Sequence, residues 1–157
     1  MTGEVLLIGI ATVAVVVAGF ASVLPGIAPD AAQWTAGHRI RRRAIVSTSF
    51  NVTFESLLPA VLFPAFDDER ATLVTASAVV FAYLLLVIGV RFVQLQRAGA
   101  FRSRPAQLTL VAGVGATALF GLNALLFVSL TAYGLALLIQ MSVAAVTFYS
   151  LLAGSDG

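Results

Sequence analysis

The most restrictive feature of this sequence is a series of long apolar runs separated by short charged stretches. Of its 157 residues, 60% are hydrophobic and only 10% are charged. A soluble domain typically carries about 25% charged residues, so this chain lacks the polar surface that water requires. A helix of about 20 apolar residues spans the hydrocarbon core of a bilayer. The sequence therefore predicts an all-α, polytopic membrane helical bundle that forms a single domain over residues 1–157.

The apolar runs predict five transmembrane helices, at about 4–24, 44–66, 71–93, 107–128 and 133–153. The stretch from Gln107 to Leu152 is far too long for one crossing, and it divides best near Ser129–Gly134. The first run has a rival interpretation as a signal peptide. It begins with Glu4 rather than a basic residue, which favours a retained helix.

The distribution of arginine predicts how the bundle is oriented. All nine basic residues are arginine, and with five crossings eight of them fall on one side of the membrane. The acidic run Asp67–Glu69 falls on the other side. By the positive-inside rule, the arginine side is cytoplasmic, so the N-terminus is outside and the C-terminus is cytoplasmic. The use of arginine alone suggests a GC-rich coding sequence, and we expect the plasma (inner) membrane of a bacterium or archaeon.

The second predicted helix is unusually polar for a transmembrane segment. At helical spacing, one arc of large apolar residues is expected to face lipid, namely Val46, Phe50, Phe54, Leu57 and Val61. Thr48, Asn51 and Glu55 lie on the other side of the helix. The helix is therefore amphipathic, and its polar face is expected to point into the bundle.

Glu55 lies near the bilayer midplane, where a charged carboxylate costs roughly 2.5–3.5 kcal/mol. We therefore expect polar neighbours from other helices at a similar depth. Gln140 is the first choice as hydrogen-bond partner, and Tyr83 and Asn123 complete the predicted intramembrane polar site. Two interpretations of Glu55 stay open: a group that handles protons or cations, or an acid that fixes helix packing through hydrogen bonds.

Small residues at helical spacing predict where helices approach closely. In the fourth run they are Gly113, Thr117, Gly121 and Ala124, and in the first run they include Ala14 and Ala18. Such seams allow close helix packing in membranes. Packing within one bundle is the first interpretation, and homodimerisation is the second.

The first linker combines aromatic and basic residues of the kind that occupy the headgroup region. Trp34 suits this depth because both its ring and its N–H group are accommodated there. The arginines Arg39, Arg41, Arg42 and Arg43 are expected to bind anionic lipids at the cytoplasmic face. The cluster is short and lies against the membrane, so nucleic acid is not the expected partner.

The sequence contains no recognisable catalytic set. It has no cysteine and one histidine, so thiolate chemistry is excluded, and neither a metal site nor a cofactor is predicted. A lipid-modifying enzyme is the weakest hypothesis, because its candidate acids fall on opposite membrane faces. The favoured function is a non-enzymatic subunit, assembly or interaction module, present as a homo-oligomer or within a larger membrane complex. The alternative is a proton- or cation-coupled transporter or channel subunit that uses Glu55.

Overall fold

The protein is an all-helical bundle in the part of the chain that the computed structural model describes, residues 4–27, 36–97 and 104–152. The five helices are α1 (Glu4–Ile27), α2 (Ala36–Phe66), α3 (Glu69–Arg97), α4 (Arg104–Leu122) and α5 (Leu130–Leu152). One π-helical turn, Asn123–Phe127, follows α4. Five helical stretches are long and apolar enough to span a membrane, and the fourth, Gln107–Phe127, includes the π-helical turn.

The second helix begins earlier than the apolar pattern predicts, at Ala36 rather than near Ala44. The basic segment just before Ala44 is therefore helical, where the sequence predicts a linker. The physical reason is that hydropathy marks where a helix leaves lipid, whereas arginine is a good helix former and lets the helix continue beyond that point. The same extension through arginine lengthens α3 to Arg97 and starts α4 at Arg104.

The helices α2 and α5 form the centre of the bundle. They pack against each other, α2 also packs against α1 and α3, and α5 also packs against α4 and α1. The face of α1 that meets the bundle consists of buried residues three or four apart, namely Leu7, Ile10, Ala11, Ala14, Ala18 and Ala21. Four of these are alanine, so α1 can approach α2 closely. The Ala14 and Ala18 seam therefore serves packing within the chain.

The small residues of α4 face α3. A Cβ atom on Gly121 would lie 2.9 Å from Cε2 of Phe81, so only glycine fits the observed approach. At Gly113 the nearest atom would be Cδ1 of Ile88, at 3.8 Å. Thr117 is buried, and its hydroxyl donates to the Gly113 carbonyl at 2.8 Å. Ala124 is half-buried in the π-helical turn. The small residues of α4 thus serve packing within the bundle, which is the interpretation that the sequence analysis places before homodimerisation.

Two connections on the same side of the bundle are very short, and each contains a non-glycine residue with positive φ. Asp67 (φ 47°) joins α2 to α3, and Val128 (φ 42°) lies between the π-helical turn and α5. The carboxylate of Asp68 accepts hydrogen bonds from the backbone N–H groups of Arg70 and Ala71, both at 3.1 Å. The acidic run therefore reverses the chain and caps the start of α3.

Candidate functional site

The inward face of α2 carries the candidate site. Glu55 is only 4% exposed, and Ser49 and Ser56 on the same helix are fully buried. On the outward face of the same helix, Phe54 is 75% exposed and Val61 is 71% exposed. Phe50 and Leu57 are exposed as well, whereas Val46 is half-buried beside Ile45 and Ala21. Four of the five residues in the arc predicted from helical spacing therefore face away from the bundle.

Gln140 of α5 is the hydrogen-bond partner of the buried carboxyl. Its Nε2 donates to Oε2 of Glu55 at 2.6 Å. This is the contact expected from matching the depths of polar residues in α2 and α5. The other carboxyl oxygen, Oε1, is buried and has no hydrogen-bond partner within the described residues. The carboxyl group is therefore satisfied on one side only.

A second contact from α5 reaches the backbone of the same residue. Pro59 has no N–H group, so the Glu55 carbonyl one turn earlier loses its usual helical donor. The Tyr133 hydroxyl donates to that carbonyl at 2.6 Å. Tyr133 is fully buried, and its ring meets Phe120 edge to face at 5.0 Å between centroids. Tyr133 and Gln140 are seven residues apart, so they lie on one face of α5.

Together these contacts form a polar clamp, defined here as Glu55, Gln140 and Tyr133. Both hydrogen bonds join α2 to α5, one through the side chain and one through the main chain of Glu55. The clamp lies against the hydrophobic core, which includes Val52, Phe120 and Tyr133. Within the described ranges, no three His, Asp or Glu side chains come together as metal ligands. The arrangement can hold two helices in register and offers one unpaired carboxyl oxygen.

Asn51 and Tyr83 form a separate polar pair instead of joining the clamp. The Tyr83 hydroxyl donates to Oδ1 of Asn51 at 3.0 Å, across the contact between α2 and α3. Tyr83 is 42% exposed and Asn51 is half-buried, so the pair lies at the bundle surface. Thr48 is also half-buried and has no hydrogen bond to Glu55. Thr48 lies on the same side of α2 as Glu55 but two turns away along the helix. Asn51 and Tyr83 bond to each other and not to Glu55.

Asn123 belongs to a third polar group, at the turn that precedes α5. Its Nδ2 donates to Oγ of Ser77 in α3 at 2.9 Å, and its Oδ1 accepts from the Ser129 backbone N–H at 2.9 Å. Its carbonyl accepts from the Val128 N–H at 2.9 Å. Asn123 therefore fixes the turn and ties it to α3, away from Glu55.

Two residues of these sites are absent from the sequence-based prediction. Tyr133 has a signal in the sequence, because Pro59 identifies Glu55 as the residue whose carbonyl lacks a donor, and Tyr133 shares a helical face with Gln140. Ser77, the partner of Asn123, has no comparable signal, because its contact depends on how α3 and α4 rotate against each other.

Two of the predicted headgroup residues, Arg42 and Arg43, lie at the opposite end of α2 from Asp67. Arg42 is half-buried and Arg43 is exposed at the start of the apolar span of α2. Trp34 lies outside the described residues, and so do the side chains of Arg39 and Arg41. Comparison of the chain with protein-family models, with curated proteins and with solved structures finds no match.

Proposed function

We propose that this chain is an integral membrane protein that acts as a non-enzymatic interaction module, and that its α2–α3 surface binds another transmembrane helix. The observation that carries the proposal is the polar pair Asn51–Tyr83. It lies within the apolar spans Arg42–Phe66 and Glu69–Val90, yet it is on the surface of the bundle. Polar groups exposed to hydrocarbon are costly, and they commonly hydrogen-bond across helices.

The chemistry of Asn51 indicates what the surface binds. Its Oδ1 accepts from Tyr83, but its amide nitrogen has no hydrogen-bond partner within the described residues. The neighbouring exposed side chains are apolar, including Phe50, Phe54 and Leu86. An incoming helix must therefore offer apolar area and one hydrogen-bond acceptor.

A second copy of the chain meets this requirement. Two Asn51 amides facing each other across a twofold axis can each donate a proton to the other's Oδ1, because Oδ1 has a second lone pair beyond the one Tyr83 uses. A homodimer through α2 and α3 is therefore the assembly to test first.

In this proposal the N-terminus is outside and the C-terminus is cytoplasmic, in the plasma membrane of a bacterium or archaeon.

The test measures dimerisation in lipid nanodiscs or by Förster transfer between labelled copies in liposomes. Asn51→Leu removes the amide from both copies and keeps an apolar surface. We expect about thirtyfold weaker dimerisation, corresponding to about 1 kcal/mol for each of the two interhelical hydrogen bonds. The matched control is Tyr83→Phe, which removes the internal hydrogen bond but leaves the Asn51 amide and should preserve the dimer. Unchanged dimerisation of Asn51→Leu, or a wild-type protein that is monomeric and captures no partner, contradicts the proposal.

A second candidate function is proton or cation coupling, favoured by the unpaired Oε1 of Glu55. An intramembrane carboxyl with a free oxygen is the kind of group that binds an ion or exchanges a proton. The measurement is proton or cation flux into liposomes that contain the purified protein. Flux that is lost in Glu55→Ala but kept in Ser142→Ala supports this function, since Ser142 is exposed and bonds only to its own helix. Flux that is equal in wild type and Glu55→Ala removes it.

A further inference from the structure

A cavity of about 450 Å³ opens between α1 and α2, at the end of the bundle opposite Asp67. Its lining consists of Ser22 from α1 and of Arg42, Arg43, Val46 and Ser47 from α2. The candidate ligand is constrained by the depth, the charge and the shape of this cavity.

The depth of the cavity is that of the lipid headgroups. Ser22 lies at the end of the apolar span Glu4–Val23, and Arg42 begins the apolar span Arg42–Phe66. The cavity is therefore at the boundary between hydrocarbon and water, where phospholipids carry their phosphate.

The polar lining is suited to a phosphate group. Arginine presents a planar fork of N–H donors that matches phosphate oxygens, and two arginines from adjacent positions line one cavity here. Within the described residues, neither Arg42 nor Arg43 forms an ion pair with a carboxylate. The Ser22 hydroxyl already donates to the Ala18 carbonyl at 2.8 Å, so Ser47 is the hydroxyl that offers a proton to a ligand.

The bilayer side of the cavity is apolar and open. Val46 lines it, and Phe50 is exposed one turn deeper on α2. On α1, a Cβ atom at Gly19 would meet nothing within 4 Å, so there is open space beside that helix one turn below Ser22. A ligand with a phosphate head and an acyl chain fits this combination better than a free phosphate does, because only the lipid uses the apolar side.

We propose that this cavity binds the phosphate of an anionic phospholipid, with Arg42, Arg43 and Ser47 as donors and the acyl chain descending past Val46 along α1. The site goes beyond the interaction function proposed above and does not depend on it. It differs from general attraction of an arginine cluster to the membrane, because a neutral residue, Ser47, contributes to it.

The test measures lipid retained by the purified protein, using native mass spectrometry after exchange into mixed vesicles of phosphatidylglycerol and phosphatidylcholine. We expect wild type to retain phosphatidylglycerol, and Arg42→Gln with Arg43→Gln to retain about tenfold less. The matched control is Arg70→Gln, which removes an exposed arginine from the opposite end of the bundle and should leave retention unchanged.

Two further variants keep the test valid if the double glutamine variant fails to fold. Replacing both arginines with lysine preserves charge but removes the planar fork, and should give intermediate retention. Ser47→Ala preserves all charges and should lower retention. The proposal is overturned if Ser47→Ala and the double lysine variant both match wild type, or if phosphatidylcholine is retained equally. Displacement of the lipid by millimolar inorganic phosphate assigns the site to free phosphate and also overturns it.

Discussion

Pro59 has its main effect one turn earlier, at the carbonyl of Glu55. Proline in a transmembrane helix is tolerated when another group satisfies the carbonyl that it frees. Here Tyr133 supplies that group from α5. A residue that weakens one helix therefore creates the hydrogen bond that joins two helices.

This coupling predicts the behaviour of Tyr133→Phe. Loss of the hydroxyl leaves a buried carbonyl without a donor, so the free energy of unfolding should fall by about 1–2 kcal/mol. In a Pro59→Ala background, the restored N–H can bond the same carbonyl, so the same substitution should cost less than half as much. A double-mutant cycle, measured by denaturant titration in detergent, checks this. Equal costs in both backgrounds contradict the coupling.

The hydrogen bond between Glu55 and Gln140 can be tested by a second double-mutant cycle. Gln140→Leu leaves the buried carboxyl without its donor and should destabilise the protein by about 1–3 kcal/mol. Glu55→Gln keeps an acceptor for Nε2 and should cost much less. Replacing both residues with leucine removes the unpaired group, so the double variant should be more stable than Gln140→Leu alone. Thermal unfolding in detergent measures these variants and Glu55→Leu, which completes the cycle. Additive costs of the two leucine substitutions are the contrary result.

At the scale of single residues, the sequence predicts well how deep a polar side chain lies along its helix. It predicts poorly which neighbouring helix that side chain faces. The Glu55–Gln140 contact could be found because few polar side chains lie at mid-depth, and depth follows directly from residue count. Asn51 and Tyr83 have similar depths, but their pairing depends on how α2 and α3 rotate about their axes. The apolar arc of α2 predicts how that helix is turned, but α3 carries apolar residues on both its buried and its exposed sides, such as Leu84 and Leu86. The rotation of α3 is therefore not fixed by its sequence, and three separate polar groups looked like one site.

Among the described glycines, Gly121 has the tightest surroundings, at the contact between α4 and α3. An added methyl group there would lie 2.9 Å from the Phe81 ring, so Gly121→Ala should destabilise the bundle by about 1–3 kcal/mol despite its better helix propensity. Gly113→Ala is the control, because its methyl would meet only Ile88 at 3.8 Å, and it should be neutral or slightly stabilising. Thermal unfolding of the two variants compares them directly, and equal effects count against the close packing.

The number of helices could be predicted from apolar length, but the ends that run into arginine segments could not. Each crossing needs about 20 apolar residues, which fixes five segments and the break near Ser129. The helices continue into the arginine segments because those residues favour helix and are outside the hydrocarbon, where hydropathy carries no information about secondary structure. This is why α2 begins at Ala36, ahead of its apolar span.

At the scale of the whole molecule, the positive-inside rule predicts which end of the bundle faces the cytoplasm. The chain lacks cysteine, so single cysteines introduced by substitution can report which side of the membrane a position faces. In intact cells, Glu69→Cys should react with a membrane-impermeant maleimide, whereas Gln96→Cys at the other end of α3 should react only after permeabilisation. Labelling of both sites in intact cells, or of Gln96→Cys alone, is incompatible with the proposed orientation.

The short turns at Asp67 and Val128 bear on how the chain enters a bilayer. Each turn makes the helices on either side of it a hairpin, with only two residues outside helix at its tip. If Asp67 and Val128 face the exterior, the insertion machinery has to translocate only two small loops after the first helix. Biogenesis then amounts to the entry of one helix and two helical hairpins, and the two turns offer a protease little chain to cut.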